Sequence, residues 1–192
     1  MRHPFRRKNL SPRLLPLYAL AVAAFLLARP TPTSFLIGSL LVAAGAALRF
    51  WGAGYLVKND LLSVAGPYAH LRHPLYAGTL CLALGFGVIA GGWALALVLG
   101  CFLPLFFFYY LPYKERVESA RLERRHGDAY AEYHRAVPAL LPSLNRFTPE
   151  QDPGPARERW SFERLRENDE HGTMLGIGVA LLLLALRPLL PP

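Results

Sequence analysis

Five apolar segments separated by shorter polar ones predict a membrane protein built from helices. They cover residues 14–28, 35–57, 76–90, 93–111 and 173–186. About 20 apolar residues cross the hydrocarbon core of a bilayer as a helix, so the second and fourth segments are the most secure spans. The shorter segments need flanking residues or neighbouring helices to complete a crossing. The pattern therefore predicts an all-α integral membrane protein with about five transmembrane helices.

The polarity changes abruptly after the fourth segment. Residues 113–136 mix charged and apolar positions in a way that predicts amphipathic helices lying at the membrane surface, with Pro112 in the first turn. Gly127 is expected to end the first of these helices. A second, short helix over residues 128–135 would then turn Tyr130, Tyr133 and Val137 toward protein or lipid.

The distribution of lysine and arginine predicts the orientation in the membrane. Five basic residues precede the first apolar segment, whereas the next connection holds only Arg29. Basic residues concentrate on the cytoplasmic side, so the N-terminus is expected to be cytoplasmic, in the inner membrane if the protein is bacterial. Residues 58–73 and 113–171 then fall on the same side.

Three regions follow from this organisation. Residues 1–142 form the predicted membrane core, residues 143–172 read as a cytoplasmic linker rich in proline, and residues 173–192 hold an additional C-terminal transmembrane helix. Since the last helix follows the linker, it is expected to be a packing addition to the core.

Composition narrows the function classes. The chain is 53% hydrophobic and only 18% charged, whereas soluble domains usually carry about a quarter charged residues. The net charge of +8 is better explained by topology and attraction to anionic lipid than by a nucleic-acid surface. Two cysteines, both in apolar segments, provide no disulfide framework, and the histidines lack the spacing of a metal site. The expected partners are therefore membrane lipid and a lipophilic small molecule, without nucleic acid or metal.

The polar chemistry is concentrated in the segment GPYAHLRHPLYAG, residues 66–78. Pro74 suits the first turn of a helix that begins near His73, and the free N–H groups of such a turn, together with Arg72, favour an anion. Aromatic faces and close backbone approach would come from four further residues, Gly66, Tyr68, Tyr76 and Gly78. The alternative is an interfacial belt in which arginine and tyrosine anchor the helix among lipid headgroups.

Two further charged residues are candidates for the same region. Glu118 lies on the amphipathic helix, and its carboxylate would face Arg72 and His73 if that helix folds back over the start of the third apolar helix. Arg49 lies inside the second apolar segment, where a charge is costly and usually functional. The alternative for Arg49 is a structural partnership with a backbone carbonyl or with Asp60.

Three segments in order resemble the isoprenylcysteine carboxyl methyltransferase family, which is related more distantly to phospholipid methyltransferases. They are GAALRFWGAG at residues 45–54, GPYAHLRHPLYAG at 66–78 and ESARLERRHGDAYAEYHRAVPALLP at 118–142. The resemblance implies an integral membrane enzyme that takes S-adenosylmethionine from the cytoplasm and methylates a lipophilic acceptor, such as the carboxylate of a prenylated cysteine.

The resemblance also implies roles for individual residues. It places Arg72, His73, Tyr76, Tyr68, Gly66 and Glu118 at the cofactor. The candidate catalytic residues are Arg49 and Arg72, with Arg49 either holding the acceptor or orienting the cavity. If the acceptor is already a carboxylate, alignment and exclusion of water suffice for direct displacement, which explains why no nucleophile and base pair is found.

The chain departs from the family pattern at two positions, with Ser119 in place of a second glutamate and His126 in place of phenylalanine. These departures put the geometry of the cofactor site in question. Two other functions stay open. One is an NADPH-dependent reductase of the membrane sterol type, because such reductases have a similar Arg-x-Pro-x-Tyr-x-Gly region. The other is a non-enzymatic scaffold that keeps the fold while Ser119 removes the activity.

Overall fold

The computed structural model describes residues 15–57, 61–149 and 159–189, and every regular element in these ranges is a helix. The α-helices are α1 Leu15–Leu26, α2 Pro32–Tyr55, α3 Pro74–Ala90, α4 Gly92–Leu97, α5 Leu111–Ala136, α6 Phe162–Glu167 and α7 Glu170–Leu186. Two π-helical segments, Val98–Phe102 and Leu105–Tyr110, join α4 to α5, and short 3₁₀ turns cover Gly66–Ala69 and Arg187–Leu189. The predicted all-α fold is thus confirmed for the described residues.

Within the described residues, three helices are long and apolar enough to cross a membrane. They are Pro32–Tyr55, Gly92–Ala136, which is kinked at Gly127, and Glu170–Leu189. The shorter apolar helix α3 has 17 residues and a length of about 25 Å, slightly less than the hydrocarbon core of about 30 Å. These helices place the protein in a membrane, while the number of five spans and the cytoplasmic N-terminus stay predictions.

Glycines at seven-residue spacing let α2 and α3 pack with their backbones in close contact. Gly38 and Gly45 on α2 lie opposite Gly85 and Gly78 on α3. A Cβ atom added at Gly45 would lie 2.7 Å from the carbonyl oxygen of Gly78, and one added at Gly38 would lie 2.5 Å from that of Gly85. Small residues at such positions allow the dense packing that drives helix association in lipid, so this pair forms the centre of the fold.

Gly45→Leu is expected to destabilise the protein by about 1–3 kcal/mol, since a side chain there must push apart two backbones that have no room to yield. Gly176→Leu on α7 is the matched control, because no described atom lies within 4 Å of a Cβ at that position. Thermal unfolding of both variants in detergent measures the difference. Equal unfolding temperatures for the two variants would contradict this account of the helix pair.

The fourth span runs into the amphipathic region without a break at Pro112, whereas the sequence predicted a new helix with Pro112 in its first turn. Pro112 interrupts an ordinary helix, but here it follows the π-helical turn Leu105–Tyr110, in which the N–H of Leu111 bonds to the carbonyl of Phe106. The wider π turn accommodates the proline ring, so the chain continues without folding back.

Gly127 interrupts this helix as predicted, with φ 50° and ψ −122°. Only glycine adopts this conformation without strain, and it turns residues 128–136 back toward the protein. Tyr130, Tyr133 and Val137 are buried together with Leu62 and Val64. The predicted second helix with an inward-facing aromatic side is therefore confirmed.

The C-terminal segment packs against the end of α2. The indole N–H of Trp160 donates to the carbonyl of Phe50 at 3.3 Å, and the Asn168 side chain donates to the carbonyls of Ala53 and Leu56 at 2.8 and 3.0 Å. The bond from Asn168 to Ala53 satisfies a carbonyl that the end of α2 leaves without an intrahelical partner. The range predicted as a linker, 143–172, thus contains α6 and the first residues of α7, and its residues 150–158 lie outside the described residues.

Candidate functional site

The loop that precedes α3 is fixed by backbone hydrogen bonds to the segment after α5. The N–H groups of Arg72 and His73 donate to the carbonyls of Pro138 and Ala139 at 2.8 and 3.0 Å. The hydroxyl of Tyr133, on α5, donates to the carbonyl of Tyr68 in the same loop at 2.9 Å. As predicted, His73 is the N-cap of α3 and Pro74 lies in its first turn. These hydrogen bonds therefore hold the polar segment in a defined position before α3.

A cavity of about 370 Å³ lies between this loop, residues 56–57 and 61–63, and α5. Its volume falls in the usual range of small-molecule pockets, about 300–1,000 Å³. Five of the residues assigned to the cofactor from sequence line it: Tyr68, Arg72, His73, Tyr76 and Glu118. Apolar side chains form much of the remaining wall, including Leu56, Leu61, Leu62, Leu75 and Leu122.

Gly66, also assigned to the cofactor, is not among the residues that line the cavity. Its φ of +59° favours glycine, and a Cβ there would lie 2.4 Å from the Tyr55 ring. The structure thus gives Gly66 a role in shaping the loop and in packing against the end of α2.

Arg72 presents unused hydrogen-bond donors in a buried setting. Its Nη2 lies 2.8 Å from an oxygen of Glu115, and its side chain is only 11% exposed. The Nε and Nη1 atoms are buried and have no hydrogen-bond partner among the described residues. Leaving buried donors of a charged group unsatisfied is costly, so a ligand that accepts hydrogen bonds would be stabilised there.

Glu118 reaches the same cavity from α5. One carboxylate oxygen accepts from the hydroxyl of Tyr76 at 2.5 Å, and the other lies 3.8 Å from Nδ1 of His73. Glu118 remains 30% exposed, which leaves acceptor capacity for a ligand. The predicted meeting of Glu118 with Arg72 and His73 at one cavity is found, although the helix arrives without the expected fold-back.

Burial sets the protonation of two cavity residues. Desolvation lowers the pKa of His73, an effect that Glu118 and Glu115 oppose and that Arg72 and His134 reinforce. The imidazole of His73 is therefore neutral at pH 7. Burial likewise raises the pKa of Tyr68, so its phenol keeps the proton.

The rings of His73 and Tyr76 line the cavity together, and Tyr110 packs behind Tyr76. The ring of Tyr76 stacks on His73 with centroids 5.1 Å apart and meets Tyr110 edge-on at 5.6 Å. Tyr110 ends the second π-helical segment, so that segment directs the ring toward α3. Such faces attract a cation, which complements the anion-binding donors of Arg72.

Ser119 and His126, the two departures from the family pattern, lie outside the residues lining the cavity. The hydroxyl of Tyr130 donates to Oγ of Ser119 at 2.6 Å, joining the two parts of α5 across the kink at Gly127. The Nε2 atom of His126 is buried without a hydrogen-bond partner among the described residues. Ser119 thus has a structural role, because its hydroxyl accepts the hydrogen bond from Tyr130.

Arg49 does not line the cavity; it lies in a separate polar cluster between α2, α3 and α7. Its Nε and Nη2 atoms donate to the two oxygens of Glu170 at 2.6 and 2.9 Å, and Nη1 donates to the carbonyl of Leu75 and to Oγ1 of Thr79. Asp60, the partner considered from sequence, lies outside the described residues. The carbonyl partner that the sequence allowed is Leu75.

Glu170 is the functional-site candidate that sequence reasoning missed. It is 2% exposed, and 121 positions separate it from Arg49. One signal was available, because an arginine within an apolar segment needs a counter-charge and Glu170 is the acid next to the last apolar segment.

Curated relatives support a membrane protein related to methyltransferases and sterol reductases. The chain is 33% identical over 119 residues to the cobalt-zinc-cadmium resistance protein CzcN of Cupriavidus metallidurans, covering 61% of this chain and 53% of that protein. It is 32% identical over 112 residues to the protein-S-isoprenylcysteine O-methyltransferase of Schizosaccharomyces pombe, covering 57% and 45%. It is also 32% identical over 93 residues to the Δ(14)-sterol reductase of Arabidopsis thaliana, covering 48% and 24%.

The matched region spans about half the length of the first two relatives and about a quarter of the third. No family model matches the chain. No solved structure matches it either.

Proposed function

We propose that the protein is an integral membrane methyltransferase that transfers a methyl group from S-adenosylmethionine to a lipophilic acceptor. The observation that carries the proposal is the cavity in which the unpartnered donors of buried Arg72, the carboxylate of Glu118 and the ring of Tyr76 face one another. A matching ligand would carry an anion for Arg72, hydrogen-bond donors for Glu118 and a cation for the ring of Tyr76. The yeast methyltransferase relative supports the same class of reaction.

The residues present fit the parts of this cofactor. Arg72 Nε and Nη1 lie on different edges of the guanidinium, so each would donate a separate charge-assisted hydrogen bond, one of them to the methionine carboxylate. Glu118 would accept from the ribose hydroxyls or the ammonium group, and the stacked Tyr76 and His73 rings would lie against the sulfonium. When bound, S-adenosylmethionine supplies an electrophilic methyl group on its sulfur.

The chain's own contribution to the chemistry is alignment in a space shielded from water. Leu56, Leu61 and Leu75 would exclude water from the transfer path and contact the acceptor's hydrocarbon. A carboxylate acceptor needs no base, because its oxygen already carries the electron pair that forms the new bond. Neutral His73 is the available proton acceptor for an amine, which is deprotonated on methylation.

The proposed acceptor is a lipid that enters from the bilayer, with the carboxylate of a prenylated cysteine as the first candidate. The three long apolar helices keep the cavity near the membrane, and the name of the yeast relative gives the substrate class. The proposed orientation places the cofactor side in the cytoplasm, in accord with the basic N-terminal segment.

Glu118→Gln is expected to raise the Kd for S-adenosylmethionine at least about tenfold, because an amide loses the charge that strengthens hydrogen bonds to the cofactor. Calorimetric titration of the detergent-purified protein measures the Kd, and transfer of radiolabelled methyl to a prenylated cysteine analogue, phosphatidylethanolamine or a fatty acid measures activity. Glu123→Gln is the matched control, since Glu123 is exposed on the same helix. Unchanged binding and transfer in Glu118→Gln would remove Glu118 from the site.

A second candidate function is an NADPH-dependent reductase of the sterol type, favoured by the match to the Arabidopsis reductase. The free donors of Arg72 would then hold a phosphate instead of a carboxylate. The two candidates differ in which cofactor saturates the cavity.

A further inference from the structure

Arg49 connects the C-terminal helix to the first turn of α3. Its guanidinium donates hydrogen bonds to both helices. Glu170 of α7 accepts from Nε and Nη2. The Leu75 carbonyl and the Thr79 hydroxyl of α3 accept from Nη1. The Nη1–Oγ1 distance to Thr79 is 2.6 Å, and the Thr79 hydroxyl itself donates to the Leu75 carbonyl at 2.9 Å. Four groups on three helices thus form one closed network.

The network contacts α3 at Leu75 and Thr79, on either side of the cavity residue Tyr76. Leu75 precedes Tyr76 in the first turn, and Thr79 lies one turn later. Leu75 and Tyr76 line the cavity, and His73 caps the same turn. A displacement of this turn would move the Tyr76 hydroxyl away from Glu118, to which it donates at 2.5 Å.

The arginine is suited to this task by its shape. A planar guanidinium can satisfy a carboxylate on one edge and a carbonyl and hydroxyl on the other, whereas an ammonium group cannot hold both in fixed directions. Gly78 leaves the space for it, because a Cβ at that position would lie 2.5 Å from Cγ of Arg49. The arginine therefore lies directly against the backbone of α3.

We propose that Arg49, Glu170 and Thr79 are positioning residues for the cofactor cavity: Glu170 of the C-terminal helix fixes Arg49, and Arg49 fixes the α3 turn that carries His73 and Tyr76. This inference rests on the proposed function, because the positioned cavity is the one assigned to S-adenosylmethionine. It makes α7 part of the functional unit and gives Arg49 a structural partner set in place of direct contact with the acceptor.

Thr79→Val tests the link, because it removes the hydroxyl that Arg49 contacts while keeping the side chain's shape. The Kd for S-adenosylmethionine, measured calorimetrically on the full-length protein in detergent, is expected to rise about tenfold. Thr79→Ser restores the hydroxyl and is expected to retain the wild-type Kd. Arg49→Lys keeps the charge opposite Glu170 but loses the planar guanidinium that reaches both helices. It is expected to weaken the binding of S-adenosylmethionine to a similar extent.

Thr173→Val is the matched control, since it makes the same change on α7 outside the network, and its Kd is expected to equal that of the wild type. Unfolding temperatures of all variants, measured in the same detergent, restrict the comparison to folded protein. Wild-type Kd values for both Thr79→Val and Arg49→Lys, or equal losses in Thr79→Val and Thr79→Ser, would overturn the positioning role alone. Failure of the wild-type protein to bind S-adenosylmethionine would overturn the proposed function and the positioning role with it.

Discussion

Replacing Arg72 with methionine is expected to weaken the binding of S-adenosylmethionine about a hundredfold. Two buried guanidinium atoms, Nε and Nη1, have no hydrogen-bond partner among the described residues and are the donors we assign to the cofactor. A hydrogen bond to a charged group contributes about 1.5–3 kcal/mol, so losing two of them in a partly shielded cavity has a large effect. Methionine keeps the length and apolar stem of the side chain while removing every donor.

The Kd is measured by calorimetric titration of the detergent-purified variant, with Arg116→Met as the matched control. Arg116 is exposed on α5, so its removal makes the same change in net charge and side-chain type away from the cavity. Arg72→Lys is expected to fall between the wild type and Arg72→Met, since it keeps the charge but cannot place a donor at both positions. A wild-type Kd for Arg72→Met would exclude Arg72 from the cofactor site.

Glu170→Gln is expected to destabilise the protein by about 3–5 kcal/mol, the usual consequence of removing one partner of a buried ion pair. Glu170 is 2% exposed and accepts two hydrogen bonds from Arg49, which itself is only 17% exposed. The glutamine would leave the guanidinium with one neutral acceptor in place of a carboxylate. Unfolding of the variant in detergent, followed by temperature or denaturant, measures the loss.

Glu163→Gln is the control for this loss, because Glu163 is exposed in the first turn of α6. The double variant Arg49→Met/Glu170→Met is expected to recover much of the stability, since it removes both charges and fills the space with apolar atoms. An unfolding midpoint in Glu170→Gln equal to that of Glu163→Gln would show that the pair contributes little to the fold.

Much of the cavity could be predicted from the sequence because its residues lie in local patterns. Pro74 in a first turn, with His73 and Arg72 directly before it, fixes the start of α3 and places two side chains at one helix end. Gly127, in a segment of charged residues, marks the kink that turns Tyr130 inward. These are features of neighbouring residues, and sequence reveals them directly.

The remaining parts depend on contacts between distant residues. The pairing of Arg49 with Glu170 joins positions 121 residues apart, and only the packing of α7 against α2 brings them together. The continuous helix through Pro112 was also not predicted, because the π-helical turn that accommodates the proline has no clear sequence signal. The sequence accordingly left Glu170 unidentified as the partner of Arg49.

The measurement that tests the central claim most directly is calorimetric titration of the wild-type protein with S-adenosylmethionine and, in parallel, with NADPH. The account predicts saturable binding of S-adenosylmethionine at one site per chain and no saturable binding of NADPH. Binding of NADPH alone would contradict the methyltransferase and favour the sterol-type reductase, and binding of neither would contradict the assignment of this cavity as a cofactor site.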